Sequence, residues 1–286
     1  MTDQLDAHRS LLYALAYRIL GSAHDAEDVL QEAFIRWSAV DPDTVDDPRR
    51  FLMRIVSHLA VDALRRRKSH REVYVGPWLP EPIPTSAGPS SPLGPMDAVE
   101  QRESVSLATL HLLERLTAAQ RGVFVLRTAF GLGFHEIAET LGRSPEDCRQ
   151  LHRRALARLR LDGKRRPVTP AEHQRLLVAL LKAVRDGELA ELGRVLAEDV
   201  TIWSDGGGKA KAARRPILGA DRASRFLCGA FGPRLDRLEI EFVEVNFQPA
   251  AILRKKGLAL LVAVAGRDRV SDVYLLSNPD KLRLVG

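Results

Sequence analysis

The sequence predicts a multidomain protein in which two all-α blocks are followed by an α+β domain. Three observations lead there. Helical spacing of apolar residues dominates 5–71 and 96–166, a stretch with seven prolines separates them at 73–95, and beyond about residue 200 the pattern changes to short alternating β-branched runs. With 286 residues and 45% hydrophobic content, the chain has material for more than one core.

In the first block, "LLYALAYRIL" repeats apolar residues at helical steps until Gly21. "SAHDAEDVLQEAFIRWSAV" then opens with a serine and an acidic first turn, both helix-start signals. The polar turn "DPDTVDDP" (41–48) precedes a third helical pattern, "RRFLMRIVSHLAVDALRRRK". Charge divides sharply between these pieces: 1–48 holds three Lys/Arg against ten Asp/Glu, whereas 49–71 holds eight against Asp62 alone. Such runs are compatible with ordinary solvated faces as well as with binding surfaces. The second block contains "MDAVEQRESVSLATLHLLERL", "TAAQRGVFVLRTAF" and "HEIAETLGRSPEDCRQLHRRALARLR". The third block, from about 170, starts with two helical patterns and continues through "VTIW", "RLEIEFVEVNF", "AAIL", "LALLVAVAG" and "DVYLLS", with a helix interposed at 220–231. The boundaries read as 1–72, a linker at 73–95, 96–166 and 170–286.

Bulk properties narrow the function classes. A net charge of +6 and a pI near 9.6 permit a polyanionic partner without requiring one. No stretch is apolar enough to span a bilayer, and the acidic N-terminus is unlike a signal peptide, so a cytoplasmic protein with no membrane contact is expected. Cys148 and Cys228 stand far apart and form neither a metal nor a redox spacing. "HEIAE" lacks the second histidine of a zinc-protease helix. The expectation is therefore no metal, no cofactor and no catalytic residues.

Residues 135–160 carry the strongest physical signal: one helix, a short glycine-containing turn and a basic second helix, in helix-turn-helix order. Ser144 suits the cap of the second helix and Pro145 its first position, while Cys148, Leu151, Ala155 and Leu159 form an apolar stripe. Arg149, Gln150, His152, Arg153 and Arg154 then face outward, and Arg or Gln at the start of such a helix can bond base edges in a major groove. By itself this motif fits a repressor, a response-regulator output domain or an initiation factor.

Adding the first block discriminates among them. "DAEDVLQEAFIRW" (25–37) followed by 48–68 resembles region 2 of extracytoplasmic-function sigma factors, and 111–160 resembles their region 4. The resemblance implies two all-α sigma domains, a region 2 helical bundle and a region 4 helix-turn-helix. It also implies binding to the clamp helices of core RNA polymerase through Asp25, Glu27, Asp28, Gln31, Glu32 and Trp37. The −10 element would meet Arg49, Arg50, Arg54, His58, Asp62, Arg65 and Arg66, although His58 stands where Asn is more common in the family. The −35 element would meet Ser144, Arg149, Gln150, His152, Arg153 and Arg154. Melting should require polymerase, because one basic helix cannot offset the loss of several stacked pairs at roughly 1.4 kcal/mol per step.

"WLPEP" (78–82), "DGGGK" (205–209) and "NPDKL" (278–282) together resemble the subgroup of these factors with a fused SnoaL-like domain. That resemblance implies an α+β cone with a curved antiparallel sheet that regulates the sigma domains. A bare spacer has no use for Trp78, so the loop Asp205, Gly206, Gly207, Gly208, Lys209 is expected to grip the linker near Trp78, Leu79, Pro80, Glu81 and Pro82. Asn278, Pro279, Asp280, Lys281 and Leu282 would brace it from a neighbouring turn, Lys281 seeking a carboxylate. Two other readings are open. An apolar effector could occupy the cone and favour one arrangement of the sigma domains, and the runner-up function is a ligand-sensing helix-turn-helix DNA-binding regulator that acts without polymerase. Alternatively, Asp205 beside Trp203, with Tyr274, could imitate an isomerase base.

Overall fold

The computed structural model describes residues 2–70, 74–86, 91–93, 99–159, 168–255 and 257–285. It divides into two compact units: Met1–Glu72, Ala87–Val105 and Thr109–Arg165 make the first, and Val73–Ser86, Ser106–Ala108 and Arg166–Gly286 the second. This grouping differs from the sequence boundaries. Both helical blocks share one unit, and the first half of the Pro-rich segment belongs to the other. Most of that segment's second half, and residues 166 and 167 of the expected junction at 166–170, lie outside the described residues.

The first unit contains α1 (Thr2–Leu20), α2 (Ala23–Ser38), α3 (Pro48–His70), α4 (Val99–Glu103), α5 (Leu107–Leu113) from Thr109 onward, α6 (Ala118–Thr128), α7 (Phe134–Leu141) and α8 (Pro145–Leu159), the first two residues of α5 belonging to the second unit. Every residue from Leu12 to Leu20 is buried, so the second half of α1 is a central helix rather than an amphipathic surface one. It packs on α2, α3 and α6. At the crossing of α3 and α6, a Cβ on Gly122 would lie 2.8 Å from Val61 Cγ2, a distance only glycine allows.

Arginines stitch the two helical blocks together. Arg121 is 0% exposed; its Nε donates to the Arg18 carbonyl at 3.0 Å and its guanidinium pairs with Glu114. Arg67 reaches Asp25 at 3.0 Å and Glu114 at 3.7 Å, and donates to the Leu20 carbonyl. Buried Arg18 donates to Ser104 Oγ at 2.9 Å and to the carbonyls of Ala14 and Gln101. Its burial lowers the guanidinium pKa to about 10, against a smaller upward push from Tyr17.

The second unit holds α9 (Pro170–Asp186), α10 (Leu189–Val195), β1 (Leu196–Asp205), β2 (Ile217–Leu218), α11 (Ala220–Leu235), β3 (Glu239–Val245), β4 (Gln248–Lys255), β5 (Leu258–Gly266) and β6 (Val270–Leu276). Its sheet order is β2-β1-β6-β5-β4-β3. The expected antiparallel sheet is in fact mixed, because β1 and β6, joined by the long excursion through β2 to β5, run parallel. On one face Leu177 and Leu180 of α9, Leu192 of α10 and Leu227 of α11 form a buried cluster with Val200 and Ile202 of β1. The other face packs Tyr274, Leu276 and Leu261 under Leu79, Leu107 and Leu282. β3 and β4 join through Asn246 and Phe247, both with positive φ (54° and 59°), as a two-residue hairpin turn demands. Among the described residues no helix is long and apolar enough to cross a membrane, and no group of three or more His, Cys, Asp or Glu is placed to hold a metal ion.

Candidate nucleic-acid interface and linker clamp

The helix-turn-helix forms from α7, a turn and α8. Gly142 ends α7 at φ 60°, in the left-handed region that most other side chains avoid. Ser144 Oγ accepts from the Asp147 N–H at 3.1 Å, capping α8 as its sequence position suggested. The stripe Cys148, Leu151, Ala155, Leu159 is buried, which leaves Arg149, Gln150, Arg153 and Arg154 exposed. Arg149 pairs with Glu146 at 2.8 Å, and this guanidinium holds the Glu146 carboxyl below its ordinary range. His152 departs from the expectation. It turns inward between Phe124 and Phe134, with ring centroids 6.1 and 5.7 Å away, and burial, with a smaller push from Arg127, lowers its pKa. An aromatic neighbourhood on both sides draws the imidazole away from the base-reading surface.

On α2, Asp28 and Gln31 are exposed, while Glu27 pairs with Arg9 and Glu32 with Arg36 at 2.9 Å. Asp25 is half-buried against Arg67. Trp37, expected on this outer face, is 2% exposed, its ring tilted by 54° against Phe51 at a centroid distance of 5.7 Å. Its ring is core, as the i+3 and i+4 spacing after Leu30 and Ala33 requires. Sequence reading missed Ile35, which is 65% exposed and lies at helical spacing from Asp28, Gln31 and Glu32. An apolar residue at the centre of an acidic face was the available signal.

Along α3, Arg49, Arg54, His58, Asp62, Arg65 and Arg66 are exposed. Arg65 pairs with Asp62 at 3.2 Å, and Arg54 lies over the Phe51 ring. Arg50 is committed elsewhere, bonding Glu136 of α7 at 2.6 Å. The Gly133 N–H first, and Arg50 second, hold the Glu136 carboxyl below its usual range.

In the second unit the three short motifs converge. Asp205, at the end of β1, is 0% exposed and accepts four bonds. Tyr74 Oη (2.6 Å) and the Gly207 N–H (3.0 Å) donate to Oδ1, and the Leu79 N–H (2.8 Å) and Lys281 Nζ (2.8 Å) donate to Oδ2. Lys281, 6% exposed, also donates to the Leu79 carbonyl at 2.6 Å and sits 3.9 Å from the centroid of Trp78. Trp78 is therefore the aromatic face of a buried cation site, which explains a tryptophan in a proline-rich segment. Gly207 is forced by contact: a Cβ there would lie 2.2 Å from Asn278 Nδ2, and its φ is 58°. Asn278 donates to Tyr74 Oη at 3.1 Å and accepts from the Asp280 N–H, the expected local turn bond, while Asp280 pairs with Lys209. Leu79, Pro80, Pro82 and Leu282 are buried, and Glu81 is half-buried.

Two parts of this clamp were not legible beforehand. Tyr74 stood outside the motifs. Further along, Ile83 exchanges bonds with Asn246 at 3.0 and 2.9 Å, and Thr85 bonds Glu244 and the Phe247 N–H. The linker thus also docks on the tip of the β3–β4 hairpin.

The comparisons agree with this geometry. The Sigma-70 region 2 model matches residues 5–70, spanning α1 to α3, and the Sigma-70 region 4 model matches 106–159, spanning α5 to α8. The ECF RNA polymerase sigma factor SigJ of Mycobacterium tuberculosis is 36% identical over 98% of this chain and 92% of its own length. The probable sigma factor SigI of that organism is 34% identical over 76% of this chain and 72% of its own. The crystal structure of M. tuberculosis SigJ matches with a TM-score of 0.80 at 33% identity, covering 99% of this chain and 98% of that one. A likeness that runs through the helix-turn-helix, the acidic and basic helices and the clamped C-terminal unit alike makes the chain a member of the extracytoplasmic-function RNA polymerase sigma factors, directing promoter-specific transcription initiation with a SnoaL-like unit at its C-terminus.

Proposed function

We propose that this sigma factor is controlled by its own C-terminal unit, which pins the segment connecting region 2 to region 4. The observation that carries the reading is the fourfold engagement of Asp205, which fixes Tyr74 and Leu79 to the sheet. Residues 74–86 would reach roughly 45 Å if extended, so clamping them withdraws that much contour from the connection between α3 and α4. Within the first unit, α3 is packed on α6 and α7, and Arg50 is tied to Glu136. Regions 2 and 4 are thereby held in a closed arrangement. Releasing the linker favours separation, a population shift toward the state that spans a promoter.

In the open state, Asp28, Gln31, Glu32 and Ile35 of α2 dock on core polymerase. Arg49, Arg54, Arg65 and Arg66 neutralise phosphates of the melted −10 strand, with the 41–48 turn offering a place for an extruded base. Arg149, Gln150, Arg153 and Arg154 read the −35 element. This work is cytoplasmic, where polymerase and promoters are. Asp205 serves the clamp rather than turnover, since both oxygens are filled, Trp203 donates to Asp272 at 3.0 Å, and Tyr274 is packed under the linker. The kinship with sigma factors favours this reading over a regulator that acts without polymerase.

Core-polymerase affinity of Ile35→Ala tests the docking face. A buried apolar anchor should lose about tenfold in affinity. Unchanged binding would remove α2 from the interface.

A further inference from the structure

Beside the clamp, the loop that follows Asp205 forms a cleft of about 520 Å³ with Val75 and Gly76, and Lys209, Lys211 and Arg214 line it. Residues 206–220 include four basic side chains, these three and Arg215, and no acidic one. Elsewhere on this unit several exposed arginines pair with near neighbours, Arg194 with Glu191, Arg225 with Asp221 and Arg283 with Asp280. Here only Lys209 has such a partner, Asp280. No described carboxylate lies within ion-pair distance of Lys211, Arg214 or Arg215.

These cations sit on a braced loop. The N–H groups of Lys209 and Ala210 both donate to the Gly206 carbonyl, at 2.9 and 3.0 Å, and the Ala213 N–H donates to Ser204 Oγ. The linker closes the far wall, since a Cβ on Gly76 would lie 3.6 Å from Arg214 Cα. Like charges fixed around a concave surface repel one another, and a bound anion relieves that repulsion. Guanidinium and ammonium groups together match the tetrahedral oxygens of phosphate.

We propose that this cleft binds a phosphate-bearing anion through Lys211 and Arg214. The phosphates come either from a nucleic-acid strand or from a free polyphosphate. Binding here is independent of whether the linker controls transcription, because it requires only the folded C-terminal unit.

The test compares the full chain with its Lys211→Ala/Arg214→Ala variant. Both side chains are exposed and bond nothing within the described protein, so melting curves should coincide. Inorganic tripolyphosphate is titrated by calorimetry, and a single-stranded oligonucleotide without promoter sequence by fluorescence anisotropy, each at 50 and 200 mM salt. The variant retains α8 and α3, so only the difference between the two proteins reports on the cleft. The expected result is at least a tenfold loss in the variant, larger at low salt. A loss for tripolyphosphate alone assigns a free polyphosphate. A loss for the oligonucleotide, with or without the other probe, assigns a strand. Equal affinity of both proteins for both probes overturns the proposal.

Discussion

Each unit of the molecule joins distant segments through a buried cation and a carboxylate, and the two clusters are built on different plans. In the helical unit, Arg121, Glu114, Arg67 and Asp25 form a chain in which every guanidinium has several partners. In the C-terminal unit everything converges on one carboxylate, Asp205, answered by one ammonium, Lys281. The planar fork of arginine spreads its bonds over two helices and a carbonyl, whereas the point charge of lysine gathers a carboxylate, a carbonyl and a ring face at one place. A distributed chain tolerates the weakening of any single bond, and a convergent one fails together. The first plan suits a structural seam and the second a latch.

Breaking the seam should have the largest effect. Arg121→Ala leaves Glu114 facing Arg67 alone inside the packed helices, and should destabilise the helical unit by about 3–5 kcal/mol. Hydrogen exchange across α1, α3 and α6 would show it as a collapse of protection, while the C-terminal strands keep theirs. Protection unchanged in α6 would mean that the seam contributes nothing.

Next in size is the reading helix, which belongs to neither cluster. Arg153→Ala should cost about 1–3 kcal/mol at a matched −35 sequence, measured on polymerase holoenzyme. An equal loss at every sequence would make it a phosphate contact.

The smallest effect is pH dependence in the C-terminal unit. His173 of α9 is buried, and burial lowers its pKa from 6.5, opposed in part by Glu172. The unfolded chain therefore takes up the proton first as pH falls. The associated stability is complete above about 6.5 and is lost as pH drops through the lower folded value. The melting midpoint of wild type should decline from pH 7 to 5 more steeply than that of His173→Leu. Parallel curves would remove this histidine from the balance.

How much of this could be read from the sequence follows from which signals are local. The stripe of α8 and its Ser144 cap depend on residues within two turns, and both are where the spacing puts them. Lys281 was expected to seek a carboxylate, but its partner lies 76 positions away, and only the parallel pairing of β1 with β6 brings Asp205 alongside. Buried arginines mislead a reading that counts Arg as surface, which is why the packing of regions 2 and 4 through Arg18, Arg67 and Arg121 was missed. Trp37 and His152 fall on helix faces whose burial is decided by neighbours from other helices, Phe51, Phe124 and Phe134. The linker's second anchor depends on a hairpin turn, Asn246–Phe247, that lacks the usual Asn-Gly signature.

The latch is tested most directly by run-off transcription with purified core polymerase, comparing wild type with Lys281→Met. If pinning restrains the two promoter-binding regions, removing the ammonium that ties Asp205 to Leu79 should raise promoter-dependent transcript while the C-terminal unit stays folded. Transcript equal to or below that of wild type, from a chain shown to be folded, would contradict restraint by the C-terminal unit.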